Sequence, residues 1–348
     1  MVRAIVLVGG EGTRLRPLSR RTPKALVPVL NRPLLEHLLL HLRSHGVGAA
    51  TLALASQFAA AIRDTFGDGR ALGMALTYAY EPQPLGSGGA IASIAHDWDE
   101  PFLVCNGDII TDLDLTAMIA AHRARHAAIT ISLHEVDDPS PYGVVALAAD
   151  NRITRFVEKP PRTDAPSRWI NAGTWLFEPA LTRNLDATTF SRVEDGLLPA
   201  LAAAAEPGRG IYGFRWGGYW MDVGTPEHYR QVNLELASQT GTNTVVCDVH
   251  TALDPRATVR GPAVIGAHCA IAGDVTIERS VLWDGASVAA GAVVRDSVLA
   301  SGVTVNAGAC VDGAIIAHDV TIGARARIAH GAHIEPGTHI AADEQVDA

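Results

Sequence analysis

The sequence predicts an α/β domain with a largely parallel sheet, followed by a parallel β-helix built on hexapeptide repeats. Three observations carry this. Short apolar runs alternate with helical segments as far as residue 238. A polar, Gly-containing stretch, Gln239-Thr240-Gly241-Thr242-Asn243-Thr244, then interrupts the pattern. Beyond about residue 253 aliphatic residues recur every sixth position with Gly and Ala between them. Alternating strands and helices build βαβ units, and a sustained hexad is the mark of a parallel β-helix. The expected domains are 1–240 and 253–342.

Taken in order, 2–8 is a buried strand that runs into a glycine loop ending at Pro17. A helix follows over 33–43 and stops near Gly46. Strand 50–55, helix 57–66, strand 74–80, helix 87–96, strand 101–105 and helix 115–126 continue the alternation. The segment 128–177 is richer in strands, at 128–136, 143–148, 152–158 and 170–177, and is expected to extend the sheet and form a small lid. Helix 193–204, strand 211–215 and helix 226–238 close the domain.

In the second half the inward positions run Val259, Ile265, Ile271, Ile277, Leu282, Val288, Val294, Leu299, Val305, Val311, Ile316, Ile322, Ile328, Ile334 and Ile340. The step is six, except for a five at 277→282, 294→299 and 311→316, which fall 17 apart. One coil is therefore three short faces of 6, 6 and 5 residues, about five coils in all. Each inward aliphatic stacks on its equivalent one coil away. An amphipathic helix would need a period of 3.6 and fewer Gly and Val.

Composition bounds the function. With 348 residues the chain accommodates two packed domains. No signal peptide is read at the N-terminus, and no apolar run reaches the roughly 20 residues of a membrane span. The four cysteines, Cys105, Cys247, Cys269 and Cys310, are scattered without metal-ligand spacing and read as reduced thiols of a cytoplasmic protein. A net charge of −9 argues against a nucleic-acid surface. The first 32 residues run against that average, with Arg3, Arg14, Arg16, Arg20, Arg21, Lys24 and Arg32 facing only Glu11. Such a basic segment suits a local anionic ligand, although a solvated loop would look the same. Of 28 basic residues only Lys24 and Lys159 are lysine; two survivors could be chance, but they mark positions where a compact ammonium suits better than a planar fork.

The chemistry concentrates after the first strand, in Val8-Gly9-Gly10-Glu11-Gly12-Thr13-Arg14-Leu15-Arg16-Pro17-Leu18 and Thr22-Pro23-Lys24. Strand ends are where open α/β sheets bind ligands, and successive N–H groups of a Gly-rich turn form an anion nest. The dinucleotide fingerprint fails because Leu15 stands where a third Gly belongs, and the GK[ST] of a P-loop is absent. A Gly-rich turn is most often only a turn, but Arg14, Arg16 and Lys24 supply positive charge after a strand, which favours phosphate binding.

These residues resemble the signature of the sugar-1-phosphate nucleotidylyltransferases, GGxGTRLRPL followed by PK. Later landmarks resemble the family too: Val104-Cys105-Asn106-Gly107-Asp108, Phe156-Val157-Glu158-Lys159-Pro160, Ile170-Asn171-Ala172-Gly173 and Tyr219-Trp220-Met221-Asp222-Val223-Gly224-Thr225. Order and spacing fit along essentially the whole chain, and the closest likeness is to mannose-1-phosphate guanylyltransferases carrying a C-terminal left-handed β-helix. The resemblance implies a Rossmann-like nucleotidyltransferase domain that joins a nucleoside triphosphate to a sugar 1-phosphate and releases pyrophosphate. It implies Mg2+ on Asp108 and Asp222, consistent with the preference of that ion for carboxylates, phosphate oxygens and water. Nucleotide contacts are implied at Val8, Gly9, Gly10, Gly12, Thr13, Arg14, Lys24, Glu81, Pro84, Gly86 and Ser87, and sugar-phosphate contacts at Gly143, Glu158, Lys159 and Asn171. Arg14, Lys24, Asp108 and Lys159 carry the catalytic charges.

Bland alternatives stand beside several of these. Asp108 could be a helix cap, Glu158 a ladder neighbour on an exposed strand face, and Glu81 an acid at a helix start. As a site residue, Glu81 could accept both N1–H and the exocyclic amine of guanine, which favours GTP, with mannose 1-phosphate as the partner. Glucose-1-phosphate thymidylyl- or uridylyltransfer and guanylyl transfer to another sugar or cyclitol phosphate are the alternatives. A non-catalytic subunit that binds an NDP-sugar, or acyl transfer by the β-helix, would be a different class. His268, His318, His330, His333 and His339 raise the acyl-transfer idea, but no long loop is present to hold an acyl donor, and they are expected at the surface. The short acidic tail after Ile340 caps the β-helix poorly, so a homodimer or homotetramer is expected, with neither a nucleic-acid nor a membrane partner.

Overall fold

The structure, a computed structural model, describes residues 2–204, 210–239 and 245–348. Of the linker expected at 239–244, only Gln239 falls within these. By packing, the chain divides into one unit of Met1–Gly10 with Leu35–Trp220 and a second of Glu11–Leu34 with Met221–Ala348. This cut differs from the chain-order division 1–240 and 253–342, because the basic segment 11–34 packs within the second unit.

In the first unit, β1 (Ala4–Leu7), β2 (Ala49–Ala55), β3 (Ala75–Glu81) and β4 (Phe102–Asn106) form the parallel heart of a nine-stranded sheet. Ala4, Ile5 and Val6 are fully buried, as a parallel strand covered on both faces requires. The connecting helices are α1 (Leu34–Ser44), α2 (Ala59–Phe66) and α3 (Gly86–Ala95). After α4 (Leu115–Arg125) come β5 (Ile129–Glu135), β6 (Gly143–Leu147), β7 (Ile153–Glu158) and β8 (Trp169–Phe177). β8 runs antiparallel to β4, β5 and β6, and β7 antiparallel to β6. These strands therefore extend the sheet as expected, giving the order β7-β6-β8-β4-β1-β2-β3, and the strands offered as a lid lie within it. β9 (Ile211–Arg215) pairs with β5 in parallel. Chain direction reverses its side of departure at β1, which is flanked by β2 and β4. A crevice at the carboxyl end of such a switch point is the usual ligand position.

One helix is shorter than its pattern suggests. Residues 193–204 read as helical, yet α5 covers only Leu197–Ala203. The preceding residues bond to the start of α3 instead. Ser191 N donates to Leu85 O at 2.9 Å, Gly88 N to Ser191 O at 2.8 Å and Val193 N to Ser87 Oγ at 3.0 Å.

The second unit holds α6 (Pro226–Gln239) and three parallel sheets of six two- or three-residue strands each, a left-handed parallel β-helix. The ladders run from Val245 to Val346, so there are six rungs where about five were expected. Register confirms the hexad: Ile277 pairs with Val294, and Leu282 with Leu299. Coils are 17 residues long in the middle, as Val264↔Val281 shows, and 18 at either end, as Val245↔Ala263 and Ile315↔His333 show. The shortened corners put Arg279, Asp296 and Gly313 at positive φ. Behind them a buried serine ladder closes the turn, with Ser297 N donating to Ser280 Oγ at 3.2 Å and Ala314 N to Ser297 Oγ at 3.0 Å. The aliphatic stack itself, Ile265 through Ile340, is one continuous core.

Candidate active site

At the carboxyl ends of β1, β3 and β4 the first unit opens a cavity of about 320 Å³ lined by Leu7, Gly9, Gly10, Ala53, Glu81, Pro84, Gly86, Ser87, Ala90, Asn106, Asp108 and Phe190. A cavity of similar size lies at the opposite strand ends, around Arg3, Ala50 and Thr77. Placement at the switch point makes the first the candidate. Seven residues expected to bind nucleotide or metal (Gly9, Gly10, Glu81, Pro84, Gly86, Ser87 and Asp108) are thus brought together. Val8 is not among the lining residues. Its amide donates to Ala53 O at 2.9 Å, and Leu7 faces the cavity in its place.

Asp108 reaches the cavity because the chain turns tightly after β4. Gly107 N donates to Leu7 O at 3.0 Å, and a Cβ at Gly107 would sit 3.0 Å from that carbonyl oxygen. A side chain at 107 would crowd β1, so glycine favours this close approach of the β4 exit. The nearby helix is capped by another residue, Asp114, whose Oδ1 accepts from Ala117 N at 2.8 Å. Burial pushes the Cys105 thiol of β4 up to about 12, so no nucleophilic thiolate accompanies Asp108.

Glu81 ends β3 and is buried at 9% exposure. Its Oε2 accepts from Leu85 N at 3.0 Å, closing the loop before α3. Ser87 Oγ donates to Glu194 and accepts from Val193 N. Phe190, 64% exposed, stands on the cavity rim. No sequence motif marks Phe190, because a lone aromatic in a loop has no pattern.

The predicted sugar-phosphate residues lie on the antiparallel extension. Gly143 of β6 and Glu158 of β7 are direct partners across the ladder. Glu158 accepts from Arg192 Nη2 at 2.8 Å, with Lys159 Nζ 3.9 Å away. Arg192 also approaches Glu194 and Asp195 at 3.8 and 3.6 Å. Sequence reasoning missed this arginine, which lies outside every quoted motif. Lys159 adopts φ +46 and its side chain is 60% exposed. Asn171 Oδ1 accepts from Gly173 N at 3.1 Å and Trp175 Nε1 at 2.7 Å, fixing the irregularity in β8. Trp220 Nε1 donates to Ala172 O at 2.9 Å, and its ring meets His134 and Tyr142 at 5.5 and 5.4 Å.

The remaining charges belong to the second unit. Residues 13–15, 18–20 and 24–26 form three single 3-10 turns. Gly12 has φ +63, and a Cβ there would lie 3.0 Å from Lys24 Cβ, so glycine lets the first turn close over the lysine stem. Lys24 Nζ lies 3.9 Å from Asp222 Oδ1, and Arg14 Nη2 lies 3.9 Å from Asp222 Oδ2. The Lys24 and Asp222 side chains are only 12% and 17% exposed, whereas Arg14 is 66% exposed. His228 Nδ1 lies 3.0 Å from the Asp222 carbonyl oxygen. A half-buried carboxylate between two cations is thereby assembled from segments some 200 residues apart in sequence. Thr13 opens the first of these turns.

Among the described residues no group of three or more His, Cys, Asp or Glu could hold a metal ion. No helix among them is long and apolar enough to cross a membrane. The four cysteines are free thiols. Four of the five β-helix histidines singled out are exposed, but His318 is buried at 8% exposure, contrary to expectation.

Comparison with known proteins divides the chain in sequence order instead. The family model described as "Nucleotidyl transferase" matches residues 3–239, and the one described as "GMPPB C-terminal domain" matches 242–347. Mannose-1-phosphate guanylyltransferase of Mycobacterium tuberculosis (strain ATCC 25618 / H37Rv) is 34% identical over 298 residues, 83% of this chain and 82% of that protein. Mannose-1-phosphate guanylyltransferase catalytic subunit beta of Danio rerio is 36% identical over 232 residues, 66% of this chain and 62% of that protein. Among solved structures, HddC from Yersinia pseudotuberculosis matches with a TM-score of 0.58 at 28% identity, over 68% of this chain and 100% of that one. HddC has also been solved complexed with GMP-PN, and that structure matches with a TM-score of 0.57.

Proposed function

The chain belongs to the nucleotidyl transferase family, and from that premise we propose that it transfers the guanylyl group of GTP to mannose 1-phosphate, yielding GDP-mannose and pyrophosphate. The observation that carries this is the Lys24–Asp222–Arg14 cluster. It sets phosphate-binding cations against a carboxylate of the kind that ligates hard metals, and it does so on the signature segment. The choice of guanine and mannose is supported by the 34% identical guanylyltransferase and by buried Glu81 in the cavity lining. A carboxylate there suits the paired donors on the guanine edge.

The reaction needs no protein nucleophile. A phosphate oxygen of the sugar 1-phosphate forms a bond to the α-phosphorus of GTP while the α–β bridging bond breaks, and pyrophosphate leaves with the electron pair. Positioning and charge neutralisation are the work of the protein. In this reading Arg14 and Lys24 hold the triphosphate and the departing pyrophosphate. Gly9, Gly10, Gly12 and Thr13 offer backbone donors, and Lys159 holds the incoming phosphate. Gly143, Glu158 and Asn171 flank the sugar, with Arg192 orienting Glu158. Asp108 and Asp222 fit Mg2+ as hard oxygen donors, one lining the cavity and the other half-buried beside cations. When bound, Mg2+ supplies neutralisation of the phosphate charge.

We assign the chain to the cytoplasm and to a homodimer or homotetramer, consistent with its free thiols and with the exposed sheets of the β-helix. Four nucleoside triphosphates assayed against mannose 1-phosphate and glucose 1-phosphate for pyrophosphate release test the specificity. GTP with mannose 1-phosphate should turn over fastest, and a preference for dTTP or UTP with glucose 1-phosphate would replace this assignment.

A further inference from the structure

Within the second unit, the segment that carries Lys24 is held at its downstream end and in the middle. Its downstream hairpin is tied by the Tyr229 hydroxyl donating to Pro28 O, Leu30 N donating to Asn233 Oδ1 at 2.9 Å and Asn31 Nδ2 donating to Ile265 O at 2.9 Å. In the middle, three consecutive residues meet the β-helix. Arg20 pairs with Glu335 at 3.1 and 3.2 Å, Arg21 pairs with Asp319, and Thr22 Oγ1 lies 2.9 Å from His318 Nε2.

The three contacts differ in weight. Both ion pairs are roughly half exposed, and such pairs contribute little. His318 is buried, and its ring stands edge-on to Trp283 at 5.2 Å. Trp283 in turn meets Tyr229 of α6 at 5.8 Å. The hydrogen bond to Thr22 satisfies Nε2, while Nδ1 has no hydrogen-bond partner among the described residues. Leaving a ring nitrogen unsatisfied in a buried place is costly, and the β-helix does not demand it. Following the register, the matching positions one and two coils earlier are Ser301 and Asp284, neither of them buried. A histidine at this corner is therefore specific to the contact with Thr22.

Thr22 stands two residues before Lys24, and Pro23 between them is fixed at φ −52. Wherever Thr22 is held, the start of the Lys24 turn is held too. We propose that His318 is a positioning residue for nucleotidylyl transfer, with its bond to Thr22 fixing the Thr22-Pro23-Lys24 turn so that the Lys24 ammonium stays at Asp222. This rests on the reading of Lys24 as a phosphate-binding cation. It gives the β-helix a part in catalysis at a distance from the reacting atoms. Small displacements of a preorganised charge cost rate steeply.

The test uses the full chain with His318→Leu, His318→Gln, Thr22→Val and the double variant His318→Leu/Thr22→Val. Leu keeps apolar bulk against Trp283 and removes the bond, whereas Gln retains an amide that can reach Thr22. His318→Leu and Thr22→Val should each lower kcat about tenfold and raise KM for GTP, sparing KM for the sugar phosphate, on the scale of one lost bond that fixes reacting geometry. The double variant should be no worse than the poorer single, and His318→Gln should stay within about threefold of the parent. Additive losses, a Gln variant as poor as Leu, or wild-type kinetics in His318→Leu would overturn the proposal. If His318→Leu does not fold, Thr22→Val interrupts the same bond from the half-buried loop side.

Amide hydrogen exchange of Leu26 and Val27, which close the Lys24 turn onto Pro23 O and Lys24 O, separates this inference from the assigned reaction. Without any substrate, exchange there should quicken in His318→Leu while the β-helix core stays protected. Unchanged exchange would overturn the clamp even if the enzyme turned over, and absence of turnover in the parent chain would count against the function alone.

Discussion

Replacing Lys24 by Met keeps the stem that packs under Gly12 and removes the charge. The ammonium lies 3.9 Å from Asp222 Oδ1 with both side chains under one-fifth exposed. At the effective dielectric of about 20 that suits such sites, the Coulomb attraction is about 4 kcal/mol before desolvation is subtracted. Asp222 keeps a second cation, Arg14, at the same 3.9 Å. The net folding cost should therefore be small, about 1 kcal/mol and a few degrees in Tm. In the proposed reaction the transition state has no such substitute, because there the missing charge is one assigned to the triphosphate and departing pyrophosphate. Losing one preorganised group of this kind costs about 10²-fold in kcat. Steady-state pyrophosphate release at saturating mannose 1-phosphate, with a thermal melt of the same sample, reads both quantities. A variant within threefold of the parent in kcat/KM would refute the role of Lys24, and a collapsed melt would make its role structural.

Lys159→Arg should raise KM for the sugar phosphate by about tenfold and KM for GTP less, because an ammonium and a planar fork present their donors differently; equal kinetics would show the rarity of lysine to be accidental. Removal of divalent cations by a chelator should abolish turnover and added Mg2+ restore it, whereas activity that survives chelation would exclude the two aspartates as metal ligands. Burial holds His41, His122 and His318 below the ordinary imidazole range. His45 adds to this at His41, Arg123 at His122 and Arg21 at His318, opposed by the Leu113 carbonyl with Asp112 and Asp114, by Glu178 and by Asp319 respectively. Because their folded-state values lie below the unfolded one, the unfolded chain takes up protons first, so stability is present above about pH 6.5 and lost as pH falls. The melting midpoint should drop between pH 7 and pH 5.5, and a flat or rising midpoint would contradict this.

The repeat was the most legible feature, since a hexad of inward aliphatics leaves one possible register, and the structure pairs Ile277 with Val294 as the spacing requires. The six rungs exceed the expected five because the first coil begins at Val245, where Val245, Val246 and Cys247 pair without a preceding repeat to announce them. The βαβ alternation was legible for the same periodic reason. The helix expected over 193–204 starts only at Leu197 because Val193 N bonds to Ser87 Oγ, just after Ser191 bonds to Leu85 and Gly88, a tertiary demand that local propensity does not record. Among site residues, the cavity-lining glycines and Asp108 were readable from motifs. Arg192, Phe190 and His318 were not, since each is brought to its place by the fold: Arg192 to Glu158, Phe190 to the cavity lining and His318 to Thr22. The lysine argument was half informative. Lys24 is enclosed at 12% exposure, but Lys159 is 60% exposed, so burial does not explain why it is not arginine.

The most direct test follows oxygen. Mannose 1-phosphate labelled with 18O in its non-bridging phosphate oxygens is incubated with GTP, Mg2+ and the full chain, and the products are weighed by mass spectrometry. Attack of the sugar phosphate on the α-phosphorus predicts GDP-mannose that retains all of the label, with unlabelled pyrophosphate. Labelled pyrophosphate, or no GDP-mannose at all, would contradict the account.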